Sequence, residues 1–241
     1  MAEENNNKVY KFLNENESFK IVNIEYTEQE KNCLDNFNIT NFKTFDYYGI
    51  YSSIDGINEY LSNVGNNSAE CIQTMNNVIN MIAEYVYKGC NKDHLWLTIR
   101  ITQPNSDFDI PRWHQDGNFF TNNDKQFKFV TVFQGAGTLL CSTDENTIEK
   151  FNSIEFRFDH NDLEGRMMIH KLLESSPNSQ FKQLKKYQGL IFSVGNQKIA
   201  TIHSEPPMHT KRIFMSIVPG TKEEIIKRKN DVSERLAKLK L

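Results

Sequence analysis

The sequence predicts a mainly β domain with flanking helices, an α+β architecture. Several segments alternate apolar and polar residues with a period of two, as strands do, and two longer segments repeat apolar residues every three or four positions, as amphipathic helices do. The chain has 241 residues, of which 38% are hydrophobic and 24% charged, the usual mixture for a globular protein with a substantial buried core.

Residues 1–90 are predicted to be a support region of helices and strands that is integral to the domain. Residues 18–26 alternate as a strand does. Thr27 and Glu30 have the form of a capping box, which predicts that a short helix follows immediately. Asp55 is expected to cap a second short helix. These elements would brace one face of a sheet.

The clearest predicted helix is residues 68–88, followed by Gly89 as a suitable C-cap. Its apolar residues fall at steps of three and four and form one stripe: Ile72, Met75, Val78, Ile79, Ile82, Tyr85 and Val86. Such a stripe is far more often core packing than a cofactor site. We therefore expect this helix to support the back of a sheet.

Residues 91–220 are predicted to form the core of the domain. In residues 94–102, one face of the strand is apolar (Leu95, Leu97, Ile99, Ile101) and the other is mixed (Trp96, Thr98, Arg100, Thr102). This pattern suits a wall between a core and a cavity. Further strands are predicted at residues 127–133, 189–195, 199–203 and 211–218, with helices near 147–152 and 162–173. Residues 142–187 contain no motif that indicates a function.

The tail, residues 221–241, is predicted to be one amphipathic helix with Ile225, Val232, Leu236 and Leu239 on its apolar stripe. Its basic residues outnumber its acidic ones. A solvated helix that packs one stripe on the body of the domain is the favoured interpretation. A dimer contact or a nucleic-acid contact is the alternative.

Composition narrows the class of partner and the compartment. The formal net charge of −3 gives no general attraction to phosphate backbones, so nucleic acid is a less favoured partner. The four cysteines form no C-x-x-C pair, which favours reduced structural thiols. The N-terminus is acidic and polar, and no apolar run is long enough to span a membrane. We expect a cytoplasmic protein with no membrane contact, and leave its oligomeric state open.

The residues that indicate chemistry are His114, Asp116, His203 and Arg212. His114 and Asp116 follow a predicted strand and loop. His203 lies far enough along the chain for the intervening residues to cross a β-sandwich and return to the same end. Two imidazoles and one carboxylate on one face of a metal leave its opposite positions open, a set that suits non-haem Fe(II). Arg212 lies in the next strand on one face with Phe214 and Ser216, and its planar fork is suited to binding a carboxylate.

Other interpretations compete at individual positions. A single histidine here could equally be a surface or hydrogen-bonded core residue, and Trp113 could line a substrate pocket or pack in the core. Lys211 is ranked behind Arg212 as a carboxylate partner because strand alternation turns it to the other face. Arg100, Thr131 and Phe133 are expected to face the cavity, and Thr131 is counted among the cofactor-binding residues.

The string Gly189-x-Ile191-Phe192, then His203-Ser204-x-Pro206, then Arg212, resembles the C-terminal half of the Fe(II)- and 2-oxoglutarate-dependent oxygenases, and His114-Gln115-Asp116 resembles their first ligand pair. The resemblance covers residues 95–218, with spacing like that of the prolyl hydroxylases. It implies a double-stranded β-helix, a cupin-like jelly-roll of two sheets. It also implies that His114, Asp116 and His203 bind iron, and that Arg212, with Ser216, binds 2-oxoglutarate.

The resemblance further implies an oxidoreductase that uses Fe(II), 2-oxoglutarate and O2, and that hydroxylates or demethylates a substrate with succinate and CO2 as co-products. A small molecule or a polypeptide is the favoured substrate. Three rivals remain: a cupin-type dioxygenase that does not use 2-oxoglutarate, a zinc hydrolase, and a jelly-roll binding module without turnover.

Overall fold

The computed structural model describes residues 18–121, 126–155, 157–158, 162–195 and 200–238. The predicted fold class, mainly β with flanking helices, is confirmed: this part of the chain contains nine strands and six helices. The strands are β1 (Phe19–Asn23), β2 (Phe45–Ile50), β3 (His94–Thr102), β4 (Gln126–Gln134), β5 (Leu139–Ser142), β6 (Gln180–Gln183), β7 (Gln188–Val194), β8 (Ile202–Ser204) and β9 (Arg212–Gly220).

The strands form two antiparallel sheets that pack face to face, as in a jelly-roll. The larger sheet has the order β1-β7-β4-β9-β3-β2, and the smaller has the order β6-β5-β8. Leu140 of the smaller sheet packs with Val130, Leu190 and Phe192 of the larger one. Beyond this contact the sheets enclose a cavity of about 710 Å³.

The helices are α1 (Glu28–Asn36), α2 (Ile57–Asn63), α3 (Ala69–Cys90), α4 (Glu145–Glu155), α5 (Leu163–Ser175) and α6 (Lys222–Lys238). The α3 stripe is buried against the apolar face of β3 and against Met215 and Ile217 of β9, which confirms it as core. Helix α3 continues past Gly89, and its C-cap is Asn91 in the left-handed conformation. Asparagine tolerates that conformation better than most residues do.

Two residues were predicted to cap the N-termini of helices, and one prediction was correct while the other was wrong. Thr27 caps α1 in a complete capping box with Glu30. Helix α2 instead follows Gly56, whose φ of 80° makes the turn, and Asp55 does not cap it. The Asp55 carboxylate accepts a hydrogen bond from the Ser53 hydroxyl, so it is engaged before the helix begins.

Three strands were not predicted, and each lacks the alternation that reveals a strand. Strand β6 is exposed along its whole length. Strand β2 lies at the edge of the larger sheet, where none of its residues is fully buried. Strand β5 has four residues, of which two successive ones are buried. Short or edge strands carry no period-two signal when burial does not alternate.

The predicted tail helix is α6, whose residue Ile225 is buried against Phe120 and Val218. The helix contacts β2 and β3 rather than standing free of the domain. Leu239 of the predicted stripe, and Ile199 at the start of a predicted strand, lie outside the described residues. No helix in the described ranges has the length and apolar character needed to cross a membrane.

Candidate metal centre

The two histidines are held side by side by the backbone. His114 forms an isolated antiparallel bridge with His203 of β8, in which each N–H donates to the other residue's carbonyl oxygen, at 2.9 and 3.0 Å. The ring centroids lie 4.3 Å apart. The carbonyl oxygen of Asp116 accepts a hydrogen bond from Gly195 at 2.9 Å, which fixes the loop that carries the carboxylate. One potential ligand atom from each of His114, Asp116 and His203 lies within 4.8 Å of the others.

Hydrogen bonds set the tautomer of both rings. His114 Nδ1 lies 2.7 Å from the carbonyl oxygen of Arg112, and His203 Nδ1 lies 2.9 Å from that of Thr201. A carbonyl oxygen can only accept, so each Nδ1 carries the hydrogen and each Nε2 keeps its lone pair. The two Nε2 atoms are directed towards Asp116, at 4.0 and 3.5 Å from its carboxylate oxygens. This orientation of ligating imidazoles by second contacts is typical of metal sites.

The charges of the three groups also suit a divalent metal. Burial lowers the pKa of His114 and lowers that of His203 to about 4, so both rings are neutral at neutral pH. Burial alone would raise the pKa of Asp116, but the Lys128 ammonium and the two imidazoles outweigh it and hold that pKa well below its usual range. Neutral imidazole and ionised carboxylate are the ligating forms of these side chains.

Lys128 is a fourth member of the centre that the sequence did not reveal. It points from β4 into the cavity, and its Nζ lies 2.8 Å from Asp116 Oδ2. A cation at this distance competes with a metal for the electrons of the carboxylate. The available signal was a charged residue inside a mostly apolar strand.

Replacing Lys128 by Met should tighten the binding of Mn(II) to His114, Asp116 and His203. Removal of the ammonium charge should strengthen binding about 3- to 10-fold, or roughly 0.7–1.4 kcal/mol. A titration that follows the electron paramagnetic resonance signal of free Mn(II) measures the change. Unchanged or weaker binding would show that Lys128 orients the carboxylate instead of competing for it.

Arg212 lies in the same cavity with its guanidinium buried between the sheets. Its Nε donates to the carbonyl oxygen of Ala136 at 2.9 Å, and its Nη2 donates to Thr138 Oγ1 at 3.1 Å. Burial lowers its pKa to about 10, so it remains charged at neutral pH. Among the described residues no carboxylate lies within ion-pair distance of it. Phe214 and Ser216 face the cavity from the same strand, as predicted.

The prediction that Thr131 faces the cavity was wrong. Thr131 is fully buried on the opposite face of β4 from Lys128 and Val130, and its hydroxyl donates to the carbonyl oxygen of Gln188 at 2.9 Å. Phe133 shares that face and belongs to the helix-backed core. Both faces of β4 are buried, so alternation grouped the residues correctly without showing which group met the cavity. Thr131 is therefore not available to a cofactor there.

The remaining predicted positions are placed as follows. Arg100 lines the cavity from β3. Trp113 is buried in a separate apolar cluster, with its indole N–H 3.3 Å from His170 Nδ1, so it packs the core. Lys211 turns away from the cavity and donates to the carbonyl oxygen of Ile39 at 2.9 Å, as strand alternation predicted.

An ion pair between Arg112 and Glu205 adjoins the centre and was also not predicted. Arg112 Nη2 lies 2.6 Å from Glu205 Oε1, and both side chains are about one-fifth exposed. Burial alone would raise the pKa of Glu205, but nearby His114 and Arg112 lower it from 4.5 to about 2. The pair links the loop before His114 to the residue after β8.

Replacing Glu205 by Gln should lower the free energy of unfolding at pH 7 by about 1–3 kcal/mol, between the values typical of exposed and of buried pairs. The pKa of Glu205 is lower in the folded state, so its ionised form stabilises the protein above pH 4.5 and this contribution is lost as pH falls towards 2. Urea unfolding of both proteins at several pH values tests this. A difference that does not shrink below pH 4.5 would contradict it.

Comparison with known proteins gave structural matches alone. No protein-family model and no curated protein matches the chain. A prolyl-4-hydroxylase from Pseudomonas putida aligns with a TM-score of 0.44 and 8% identity, over 90% of this chain and 98% of the other. A Kdo hydroxylase with cobalt(II), described as a non-heme Fe(II) α-ketoglutarate-dependent dioxygenase, aligns with a TM-score of 0.48 and 10% identity, over 90% and 84%.

A third solved structure is a Trichoplax adhaerens prolyl hydroxylase bound to a peptide fragment of hypoxia inducible factor. It aligns with a TM-score of 0.42 and 11% identity, over 93% of both chains. All three are named as hydroxylases. These similarities concern overall shape, and the function proposed below is argued from the residues of the centre.

Proposed function

We propose that this protein is an Fe(II)- and 2-oxoglutarate-dependent dioxygenase that hydroxylates, or demethylates, a small-molecule or polypeptide substrate. One observation carries the proposal. A set of two histidines and one aspartate shares a single cavity with a buried arginine that has no carboxylate partner among the described residues. A metal alone would not require Arg212, whereas a dicarboxylate that spans the cavity would bind the metal at one end and Arg212 at the other.

The residues present fit Fe(II) as the metal. His114 and His203 offer neutral Nε2 lone pairs and Asp116 offers a carboxylate oxygen, and one potential ligand atom from each residue lies within 4.8 Å of the others. Three protein ligands leave coordination positions free for further groups. Bound Fe(II) and 2-oxoglutarate would supply activation of O2 coupled to oxidative decarboxylation, giving succinate and CO2.

Arg212 and Ser216 would hold the far carboxylate of 2-oxoglutarate. The guanidinium of Arg212 is fixed by Ala136 and Thr138, so its orientation is set before the ligand arrives. A charged, oriented fork forms two parallel hydrogen bonds with a carboxylate. The apolar walls around it, including Val130 and Phe214, exclude water and strengthen that attraction.

The proposal is tested by turnover without any added substrate. Uncoupled decarboxylation should convert 2-oxoglutarate to succinate only when Fe(II) and O2 are both present, and Zn(II) should not replace Fe(II). O2 consumption that does not depend on 2-oxoglutarate would indicate a cupin-type dioxygenase instead. Tight Zn(II) binding with ester hydrolysis and no succinate would indicate a hydrolase.

A further inference from the structure

The C-terminal helix supplies one wall of the cavity. Ile225 of α6 is buried against the domain, and Arg228 lies one turn later on the same side of the helix, where it lines the cavity. Its guanidinium lies 4.8 Å from the centre of the Trp96 ring and 5.7 Å from that of Phe119. Trp96 is in turn stacked on Tyr48, with centroids 5.6 Å apart. The guanidinium therefore lies against a cluster of packed aromatic rings.

The Arg228 guanidinium has hydrogen-bonding capacity that the described residues do not satisfy. Its Nε is buried and has no hydrogen-bond partner, and no carboxylate in the described ranges lies within ion-pair distance of it. Leaving a buried donor without a hydrogen-bond partner destabilises a protein, and more so when the donor is charged. Like Arg212, Arg228 therefore lines the cavity without an anionic partner among the residues that the structure describes.

The position of Arg228 relative to the metal centre suits substrate binding. The ring of Phe119 contacts two cations: its centre lies 5.6 Å from Lys128 Nζ and 5.7 Å from the Arg228 guanidinium. Lys128 itself contacts Asp116. A molecule that lies along Phe119 and Trp96 with an anionic end on Arg228 would therefore bring its other end to the metal ligands.

We propose that Arg228, Trp96 and Phe119 form a binding site for the anionic group of the substrate, a small organic acid with an apolar or planar body. Its role as a substrate site rests on the proposed function, whereas the binding itself requires neither iron nor turnover. The anion is a carboxylate or a phosphate monoester, since a guanidinium binds both in the same bidentate way.

Fluorescence of Trp96 provides the test. The chain has two tryptophans, so Trp113→Phe leaves Trp96 as the sole reporter. This protein is titrated with 3-phenylpropanoate, phenyl phosphate and the neutral 3-phenylpropanamide. At least one anion should bind about tenfold or more tightly than the amide, as expected for a charge-assisted contact of roughly 1.4 kcal/mol. The two anions separate a carboxylate site from a phosphate site.

Matched variants assign the preference to one residue. Arg228→Gln should abolish the preference for anions, and Lys229→Gln, the same charge change at the exposed next position, should retain it. Equal binding of anion and amide, or no binding of any probe up to about 10 mM, would overturn the proposal. Isothermal titration calorimetry on the unaltered protein repeats the comparison without Trp113→Phe. Because these titrations need no turnover, failure of the dioxygenase proposal would leave their result unchanged.

A second, independent observation concerns two cysteines far from the cavity. Cys33 of α1 and Cys71 in the first turn of α3 are both free, and their Sγ atoms lie 2.6 Å apart. Cys33 is buried and Cys71 is half-buried, and both line a separate cavity of about 360 Å³. A small movement of the two side chains would bring the Sγ atoms to the distance of a disulfide bond.

We propose that Cys33 and Cys71 form a disulfide with glutathione disulfide as the oxidant. Cys71, the more exposed thiol, attacks glutathione disulfide, which breaks its S–S bond, forms a mixed disulfide on Cys71 and releases one glutathione. Cys33 then attacks Cys71 Sγ, which forms the Cys33–Cys71 bond and releases the second glutathione. The protein loses two protons and two electrons, and glutathione disulfide is reduced to two thiols. The product would join α1 to α3.

Mass spectrometry of the intact protein after glutathione disulfide treatment should show a loss of about 2 Da, the two thiol hydrogens, together with a higher Tm because the cross-link restricts the unfolded chain. Cys33→Ser should prevent both changes, and Cys90→Ser should prevent neither. A stable mixed disulfide with glutathione, or unchanged thiols, would contradict the proposal.

Discussion

Without the Arg212 guanidinium, the protein is expected to bind 2-oxoglutarate about 30-fold to several thousand-fold more weakly, the range that corresponds to losing one partner of a buried charge pair at about 2–5 kcal/mol. The Arg212→Ala variant removes this guanidinium. The loss should be large because the site is buried and because Ala136 and Thr138 hold the Arg212 guanidinium in place. Equilibrium binding of 2-oxoglutarate to the anaerobic Fe(II) protein measures it.

Two further variants separate binding from folding. Arg212→Lys keeps the charge but loses the planar fork and the contacts with Ala136 and Thr138, so it should still weaken 2-oxoglutarate binding by about tenfold or more. Lys211→Gln removes a charge from the adjacent residue on the other face of the strand and should leave binding unchanged. Equal loss in Lys211→Gln and Arg212→Ala, which each remove one positive charge, would show a general effect of charge and contradict the assigned role.

Replacing His203 by Ala should weaken Fe(II) binding by more than about 100-fold, because even the outer partners that orient a ligating imidazole contribute about 10- to 100-fold. The variant removes one of the three proposed ligands and leaves His114 and Asp116 in place. Anaerobic titration with Fe(II) against a competing chelator gives the affinity.

His203 is buried and its ring centroid lies 4.8 Å from that of Phe192, so the apo variant's circular dichroism and Tm must first show that it folds. His209→Ala removes an imidazole from an exposed loop near the same strand and serves as the matched control. Fe(II) affinity within a few-fold of the original in His203→Ala would exclude His203 as a ligand.

The parts of the fold that could be predicted are those where one face of an element is buried and the other is not. The alternation in β3 grouped its residues into a core face and a cavity face, and the structure keeps both groups. The stripe of α3 likewise identified its buried side. His114, Asp116 and His203 could be singled out as a group because they are chemically distinctive, although distant in sequence, and the structure brings them together.

The parts that could not be predicted depend on contacts between segments far apart in the chain. Lys128 and Thr131 both lie in β4, where each face is buried, so the sequence pattern could not show that Lys128 rather than Thr131 meets the cavity. Glu205 becomes informative only once Arg112 is beside it. Arg228 belongs to a helix that looks solvated in sequence until its packing near Trp96 is known.

The most direct test of the central claim is anaerobic addition of Fe(II) and then 2-oxoglutarate, while the weak visible charge-transfer band of iron-bound 2-oxoglutarate is recorded. We predict that the band forms with the unaltered protein and is absent in His203→Ala and, at the same 2-oxoglutarate concentration, in Arg212→Ala. Binding of Fe(II) without any band on saturation with 2-oxoglutarate would contradict the account and favour a cupin-type dioxygenase or a binding module.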